Sequence, residues 1–171
     1  MVANLRTEPD AGSQSSNLTD LPSYISGYVD GEGCFTISIS ISPRPTLRVG
    51  WEVRPSLSVS QNGDRSEVLL AIQDHLGCGT IRPDRSDKTV KWEVRSLPLL
   101  IERVIPHFHR YPLRSGKSND FELFASTCGA MASGRHLEPE GLREIVRWAG
   151  AMNPSGKRRY APEQILRSLL R

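Results

Sequence analysis

The sequence predicts an α+β fold in which helices cover the apolar face of a four-stranded antiparallel sheet. Two observations predict this fold: four short segments alternate apolar and polar residues, and helical segments separate and follow them. The 171 residues are enough for one domain with a substantial core. We expect residues 1–18, which are polar and without periodicity, to form a disordered tail, and residues 19–171 to form a single domain.

The first predicted element is a helix that begins near Thr19 and Asp20 and ends at Gly31 or Gly33. Either of the first two residues can serve as the N-cap, and Pro22 fits the first turn. A glycine after the last helical turn is a common stop, so we expect a strand to begin directly afterwards.

Two pairs of strands follow. In the segment CFTISISIS, residues at alternate positions are apolar, which is typical of a strand with one buried face and one solvent-exposed face. We interpret Cys34, at its start, as a small buried residue. The segment VGWEVRPSLSVSQ alternates in the same way, and Pro55 indicates a bulge or an edge within it. A second pair, GTIRPD and KTVKWEVR, flanks the turn RSDK.

The remaining segments are predicted to be helical. DRSEVLLAIQDHL is closed by Gly77, and LPLLIERVI begins after Ser96 and is ended by Pro106. Three more helices are predicted at 119–132, 139–152 and 162–170.

The outward face of the predicted sheet is rich in serine, threonine, arginine, lysine and glutamate. These side chains suit phosphates and base edges in a DNA major groove, which admits strands, but a solvent-facing sheet has the same composition. The net charge is +3, and because residues 1–20 sum to −2, the rest of the chain carries +5. Composition therefore leaves a DNA-binding surface and an ordinary surface both open.

Small residues line one face of the first helix. Ser23, Gly27 and Gly31 are spaced four apart, which leaves a shallow groove that suits a second copy of the same helix. Such pairing would bring two Glu32 carboxylates together at the negative ends of two helices, where a divalent cation such as magnesium could lie between them. We interpret Asp30 as a structural acid that caps or buttresses the helix end.

The stretch ISGYVDGEG, residues 25–33, resembles the LAGLIDADG signature of homing endonucleases. Further segments resemble the same family: LSVSQNGDRSEVLLAI, HLGCGTI, PHFHRYPLRSGKSNDFELF and EPEGLREIVRWAGAMNPSGKRRY. The resemblance implies a saddle-like sheet in the order α-β-β-α-β-β-α, followed by C-terminal helices. With one copy of the motif, it also implies a homodimer that makes metal-dependent double-strand breaks in a long, nearly palindromic DNA site.

The resemblance assigns catalytic roles to Glu32, Gln61, Lys117 and Arg65, with Arg114 as an alternative to Lys117 for the active-site cation. It implies Mg²⁺ or Mn²⁺ at Glu32 and Gly31, and Ca²⁺ as an ion that can bind without supporting cleavage. The expected dimer interface comprises Ser23, Gly27, Tyr28 and Gly31.

We expect DNA contacts from the outward sheet face and from nearby basic residues. These candidates are Ser38, Ser40, Arg44, Arg48, Arg54, Ser56, Arg82, Lys91, Glu93, Arg95, Lys157, Arg158 and Arg159. The expected partners are double-stranded DNA and a second copy of the chain, with no membrane and no small-molecule cofactor. Two alternatives stay open: a non-cleaving binding protein of the same fold, either an RNA maturase or a DNA-binding regulator, and a structural homodimer.

The expected location is intracellular and soluble. Three cysteines without a CxxC pair favour a reduced compartment. An arginine-rich, lysine-poor composition favours the bacterial cytoplasm, with an organelle left open. The gene is expected to be intron-encoded, as is typical of the family that the chain resembles.

Overall fold

The computed structural model describes residues 20–44, 46–84, 88–153, 156 and 158–170. The predicted tail, the possible cap Thr19, part of the RSDK turn and the DNA-binding candidate Lys157 lie outside the described residues. The strands are β1 (Gly33–Ile41), β2 (Trp51–Asn62), β3 (Thr80–Pro83) and β4 (Thr89–Val94). The helices are α1 (Leu21–Glu32), α2 (Glu67–Leu76), α3 (Leu97–Leu99), α4 (Ile105–Arg110), α5 (Lys117–Ala132), α6 (Pro139–Ala151) and α7 (Pro162–Ser168).

The four strands form one antiparallel sheet, as the alternating segments predicted, and their order in the sheet is β1-β2-β4-β3. The pairing of β1 with β2 is continuous from Gly33 opposite Val59 to Ile41 opposite Trp51, so Pro55 causes no bulge. Because β4 pairs only with the second half of β2, Pro55 lies where β2 has a neighbour on one side alone, an edge-like position of the kind in which sheets tolerate proline.

Helices cover the apolar face of the sheet through two clusters of buried side chains. The first cluster joins α1, α2 and α5 to the sheet around Phe35, Leu57 and Trp92. The second joins α6 and α7 to the other end of β1 and β2, around Trp51 and Val53. The fold is therefore the α+β arrangement that the sequence predicts, with the opposite, polar face of the sheet left uncovered by these helices.

Two details differ from the sequence prediction. Pro106 does not end a helix: a π-helical turn, Leu100–Val104, connects α3 to α4, and α4 continues through the proline to Arg110. The wider turn accommodates a residue that lacks an N–H donor. Cys34 is exposed, not buried, because it lies on the polar side of β1 beside Thr36, with 3.4 Å between Sγ and Oγ1.

Helix α1 begins with a side-chain cap and ends at a glycine. The carboxylate of Asp20 accepts a hydrogen bond from the backbone N–H of Ser23 at 3.3 Å, as expected of an N-cap. Ile25 and Val29 are fully buried, whereas Gly27 and Gly31 are exposed. No helix among the residues with described positions is both long and apolar enough to cross a membrane.

Gly27 in α1 and Gly33, the first residue of β1, predict different effects of substitution by alanine. At Gly33 a Cβ atom would lie 2.5 Å from Cγ1 and 2.7 Å from the carbonyl oxygen of Val29, so Gly33→Ala should lower the free energy of unfolding by about 1–3 kcal/mol. At Gly27 a Cβ atom would meet nothing within 4 Å of this chain, so Gly27→Ala should leave the free energy of unfolding unchanged or raise it by up to about 1 kcal/mol. Urea unfolding of both variants checks this, and equal effects would contradict the packing at Gly33.

Candidate functional site

Glu32 is the last residue of α1 and is exposed. The next residue, Gly33, already belongs to β1, so the carboxylate lies where a helix end meets the start of the sheet. The last carbonyl groups of a helix carry partial negative charge, and a carboxylate beside them adds to it. This end of α1 therefore concentrates negative charge and requires compensation.

Lys117 provides that compensation. It is the first residue of α5, and its ammonium Nζ donates to the carbonyl oxygens of Val29 at 3.1 Å, Gly31 at 3.5 Å and Gly33 at 2.5 Å. An ammonium has three protons, so it can direct one to each carbonyl. The lysine of the predicted catalytic set thus lies on the end of α1 that carries Glu32.

Asp30 holds the loop that leads to Lys117. Its carboxylate accepts hydrogen bonds from the N–H of Arg114 and the N–H of Ser115, both at 2.9 Å, and from the hydroxyl of Ser115 at 2.5 Å. Burial acts to raise the pKa of Asp30, but these hydrogen bonds and the charge of Lys117 together hold it below the usual 3.8. Asp30 therefore buttresses a neighbouring loop, and Arg114, the alternative cation, contributes its backbone here.

Gln61 contacts α1 from the end of β2. Its amide Nε2 donates a short hydrogen bond to the hydroxyl of Tyr28, and its Oε1 accepts from the N–H of Asn62 at 2.7 Å. Arg65 is exposed in the short 3₁₀ turn that follows β2. Tyr28, expected at a dimer interface, is partly buried and is also the residue that ties Gln61 to α1.

A buried polar chain fixes the other side of α1. The hydroxyl of Ser26, which is 4% exposed, donates to the carbonyl of Tyr111 at 2.6 Å and lies 3.2 Å from Nε2 of His107. Nδ1 of His107 lies 3.2 Å from Nε2 of His75 on α2. Burial, and then the nearby His75, lowers the pKa of His107 to about 4, so its ring is neutral at physiological pH.

The polar face of the sheet brings most of the DNA-binding candidates together. Ser38 lies opposite Arg54, and Lys91 opposite Arg82, in the strand register. The basic side chains of this face each have an acidic neighbour: Arg54 with Glu52 at 2.8 Å, Arg82 with Glu93 at 2.8 Å, Arg95 with Glu93 at 3.0 Å, and Lys91 with Asp84 at 3.8 Å. The face is thus an ion-paired surface, and not a row of isolated cations.

The other basic candidates lie apart from this surface. Arg44 and Arg48 are exposed in the connection between β1 and β2. The guanidinium of Arg158 donates to the carbonyls of Ala149 and Met152, so it caps the C-terminal end of α6, and Arg159 lies 5.5 Å from the ring centroid of Tyr160. DNA contact by these arginines stays a prediction.

Oxygen donors at the end of α1 are of the kind that magnesium prefers: the Glu32 carboxylate and the Gly31 carbonyl. Within the described part of the chain, no three His, Cys, Asp or Glu side chains lie close enough together to hold a metal ion. These donors fit a site in which an ion keeps several water ligands or shares ligands with phosphate or a second subunit.

The sequence reasoning missed two parts of this site. Ser26 and His107 lie far apart in the chain, and only the packing of α1 against α4 brings them together. Asp30 was expected to be structural, but its partners Arg114 and Ser115 were not foreseen. The one available signal was the polar segment LRSGKSND, which contains both the loop and Lys117.

Known proteins share the sequence motif and the fold of this chain. The model of the LAGLIDADG endonuclease family matches residues 25–128. A probable intron-encoded endonuclease of Neurospora crassa is 32% identical over 133 residues, which cover 77% of this chain and 29% of that protein. The chain thus spans less than a third of that curated relative.

Two solved structures share the fold. The homing endonuclease I-TnaI has a TM-score of 0.75 and 32% identity, over 87% of this chain and 95% of that one. I-SmaMI, bound to an uncleaved DNA target in the presence of calcium ions, has a TM-score of 0.75 and 27% identity, over 88% of this chain and 49% of that one.

The contacts of Asp30 predict a pH-dependent contribution to stability. Because its pKa lies below 3.8 in the folded state, this contribution is complete above that value and is lost as the pH falls through the folded-state pKa. Asp30→Asn should therefore lower the free energy of unfolding by about 1 kcal/mol at neutral pH. The gap between wild type and variant should shrink below pH 3.8.

Urea unfolding at neutral and acidic pH measures this gap, with Asp64→Asn as the control because Asp64 is exposed. A gap that stays constant across the acidic range would contradict the role assigned to the Asp30 carboxylate.

Proposed function

The chain belongs to the LAGLIDADG endonuclease family, and from that premise we propose that it is a site-specific DNA endonuclease. The observation that carries this proposal is the exposed Glu32 carboxylate at the end of α1, the same helix end whose carbonyl groups accept hydrogen bonds from the ammonium of Lys117. We infer that it makes double-strand breaks in a long, nearly palindromic target by metal-dependent hydrolysis of phosphodiester bonds. The name of the Neurospora relative further supports an intron-encoded homing role.

Divalent metal ions are general for this family, and we propose Mg²⁺ or Mn²⁺ for this chain. Glu32 and the carbonyl of Gly31 would hold the ion. When bound, it would activate a water molecule and stabilise the leaving oxygen of the phosphodiester. Calcium accompanies the uncleaved DNA target in the I-SmaMI structure, which supports calcium here as an ion that binds without cutting.

The residues of this chain have separable tasks in that chemistry. Lys117 offsets the negative end of α1, so that a phosphate can approach Glu32 at a smaller electrostatic cost. Gln61 is fixed to α1 through Tyr28, which limits the positions its amide can take near metal-bound solvent. Asp30 holds the loop in front of α5 and thus the starting point of the Lys117 side chain.

We propose further that the active form is a homodimer paired through α1. The face formed by Ser23, Gly27 and Gly31 is exposed, and Cβ atoms at both glycines would meet nothing within 4 Å in one chain. Nearby Tyr24 is 49% exposed, which is high for a large aromatic side chain on a helix that ends at a functional site. Pairing through this face would bring two Glu32 carboxylates near one axis.

Double-stranded DNA is the proposed substrate, and the polar face of the sheet is its proposed binding surface. A two-fold axis through paired α1 helices would align two such faces with the half-sites of a palindromic target. The neighbour I-SmaMI binds DNA, which supports the same assignment here. The bacterial location favoured by composition finds no support in the Neurospora relative.

The position of Glu32 at the helix end predicts that its substitution slows DNA cutting and leaves DNA binding nearly unchanged. With magnesium and a library of duplex targets, Glu32→Gln should reduce the rate of cutting by on the order of 100-fold or more, because a neutral amide binds the metal ion poorly. Its affinity for the target should stay within about threefold of wild type, because the sheet face is unchanged.

Cleavage and band-shift measurements on wild type, Glu32→Gln and the exposed control Glu67→Gln test this. Specific binding without cutting by any of the three proteins would favour the non-cleaving alternative. No affinity for DNA at low salt would exclude both the endonuclease and the non-cleaving binding protein.

The open face of α1 predicts the effect of a bulky side chain on assembly. Gly27→Leu should raise the dissociation constant of the dimer at least about tenfold, because the added side chain keeps the two helices apart. Gly129→Leu is the matched control, since Gly129 is also an exposed helical glycine with open space at its Cβ. Light scattering across a concentration series measures the change, and a Gly27→Leu dimer as stable as wild type would rule out this interface.

A further inference from the structure

Glu93 lies near the middle of the polar sheet face. In β4 it is paired with Ser58 of β2 on one side and with Thr80 of β3 on the other. Its side chain is only 11% exposed, although it lies on a face that no described helix covers. Two arginine side chains contact its carboxylate.

Both arginines contact the same carboxylate oxygen. A terminal nitrogen of Arg82 lies 2.8 Å from Oε2 of Glu93, and Nε of Arg95 lies 3.0 Å from the same atom. The arginine side chains are 54% and 66% exposed, so both contact Glu93 and are also accessible from solvent. Arg82 donates a charge-assisted hydrogen bond to this oxygen and Arg95 forms an ion pair with it, so one carboxylate restricts both guanidinium groups.

The two contacts with Glu93 leave different N–H groups of the two arginines available to bind a base. Arg95 uses Nε, so its two terminal nitrogens stay together as a fork, and among the described residues no other acceptor contacts them. Two parallel N–H groups match the O6 and N7 acceptors of guanine, the commonest specific contact in the major groove. Arg82 has already committed one terminal nitrogen and offers less of a fork.

We propose that Glu93 is a positioning residue for base recognition: it orients Arg95 to read a guanine in each half of the DNA target. This rests on the proposed function as a DNA endonuclease. The carboxylate also opposes indiscriminate attachment to phosphates, because it neutralises part of the positive charge that non-specific binding requires. Glu93 thus lowers the affinity for DNA of any sequence and increases the preference for a target with guanine at this position.

Glu52, the other acid of this face, contacts the single arginine Arg54, two residues along the same strand, in the part of β2 that β4 does not reach. Arg95 likewise lies two residues beyond Glu93 along the chain, so that pair alone does not distinguish the two acids. The difference is the second arginine, Arg82, which reaches the same oxygen of Glu93 from the neighbouring strand β3.

The test is selection of bound sequences from a randomised duplex library, with calcium in place of magnesium. Wild type should select guanine at one position of each half-site. Glu93→Gln should reduce the preference for that guanine about tenfold while binding random-sequence DNA at least as tightly as wild type. Glu144→Gln, which removes the same charge from the α6 pair with Arg135, should keep the wild-type preference.

A second variant separates positioning from strand stability. Arg95→Lys keeps Glu93 and the positive charge but removes the fork, so it should lose the same guanine and leave the other selected positions unchanged. An unchanged preference in Glu93→Gln, or a loss at a position that Arg95→Lys does not affect, would overturn the proposal while leaving the proposed function intact. A wild-type protein that selects no sequence would overturn both.

Discussion

The negative end of α1 is the feature on which the rest of the site depends. The carbonyl groups of its last turn carry partial negative charge, and the Glu32 carboxylate adds a full negative charge at the same helix end. The ammonium of Lys117, from α5, donates hydrogen bonds to carbonyl groups there. Lys117 can reach these carbonyl groups only if α5 begins in the right position, which is fixed by the hydrogen bonds that Asp30 accepts from Arg114 and Ser115. A helix end that would repel a phosphate thereby becomes one that can accept it, provided a metal ion supplies further positive charge.

The same balance of charge appears on the sheet. Its arginines and its lysine are paired with acids, so the surface offers oriented donors and little excess charge for holding DNA of any sequence. In the proposed homodimer, affinity for a specific target would come from many matched contacts along two half-sites. The exposed glycines of α1 are compatible with that proposed pairing.

Local patterns in the sequence predicted the strands, the cap Asp20, the stop at Gly77 and the polar face, because two-residue alternation and glycine stops act over a few residues. Ser96, expected to cap a helix, makes no such side-chain hydrogen bond. Through a resemblance, the sequence also proposed Glu32 and Lys117 as site residues; both lie at the same end of α1, and their catalytic roles stay predictions. The local patterns were wrong about Pro106, where a π turn absorbs the missing donor, and about Cys34, whose side of β1 follows from the register of the strand. The contacts of Asp30, Ser26 and Arg158 depend on chain segments brought together by packing, which no local pattern contains.

The central claim is that two α1 helices meet at their small-residue face, and disulfide trapping tests it most directly. Ser23→Cys, in a chain whose exposed Cys34 is replaced by serine, should form a covalent dimer rapidly under mild oxidation, since two thiols would lie close together at the axis. Ser133→Cys, at an exposed position after α5, should cross-link slowly. Equal cross-linking rates for the two variants would contradict the account.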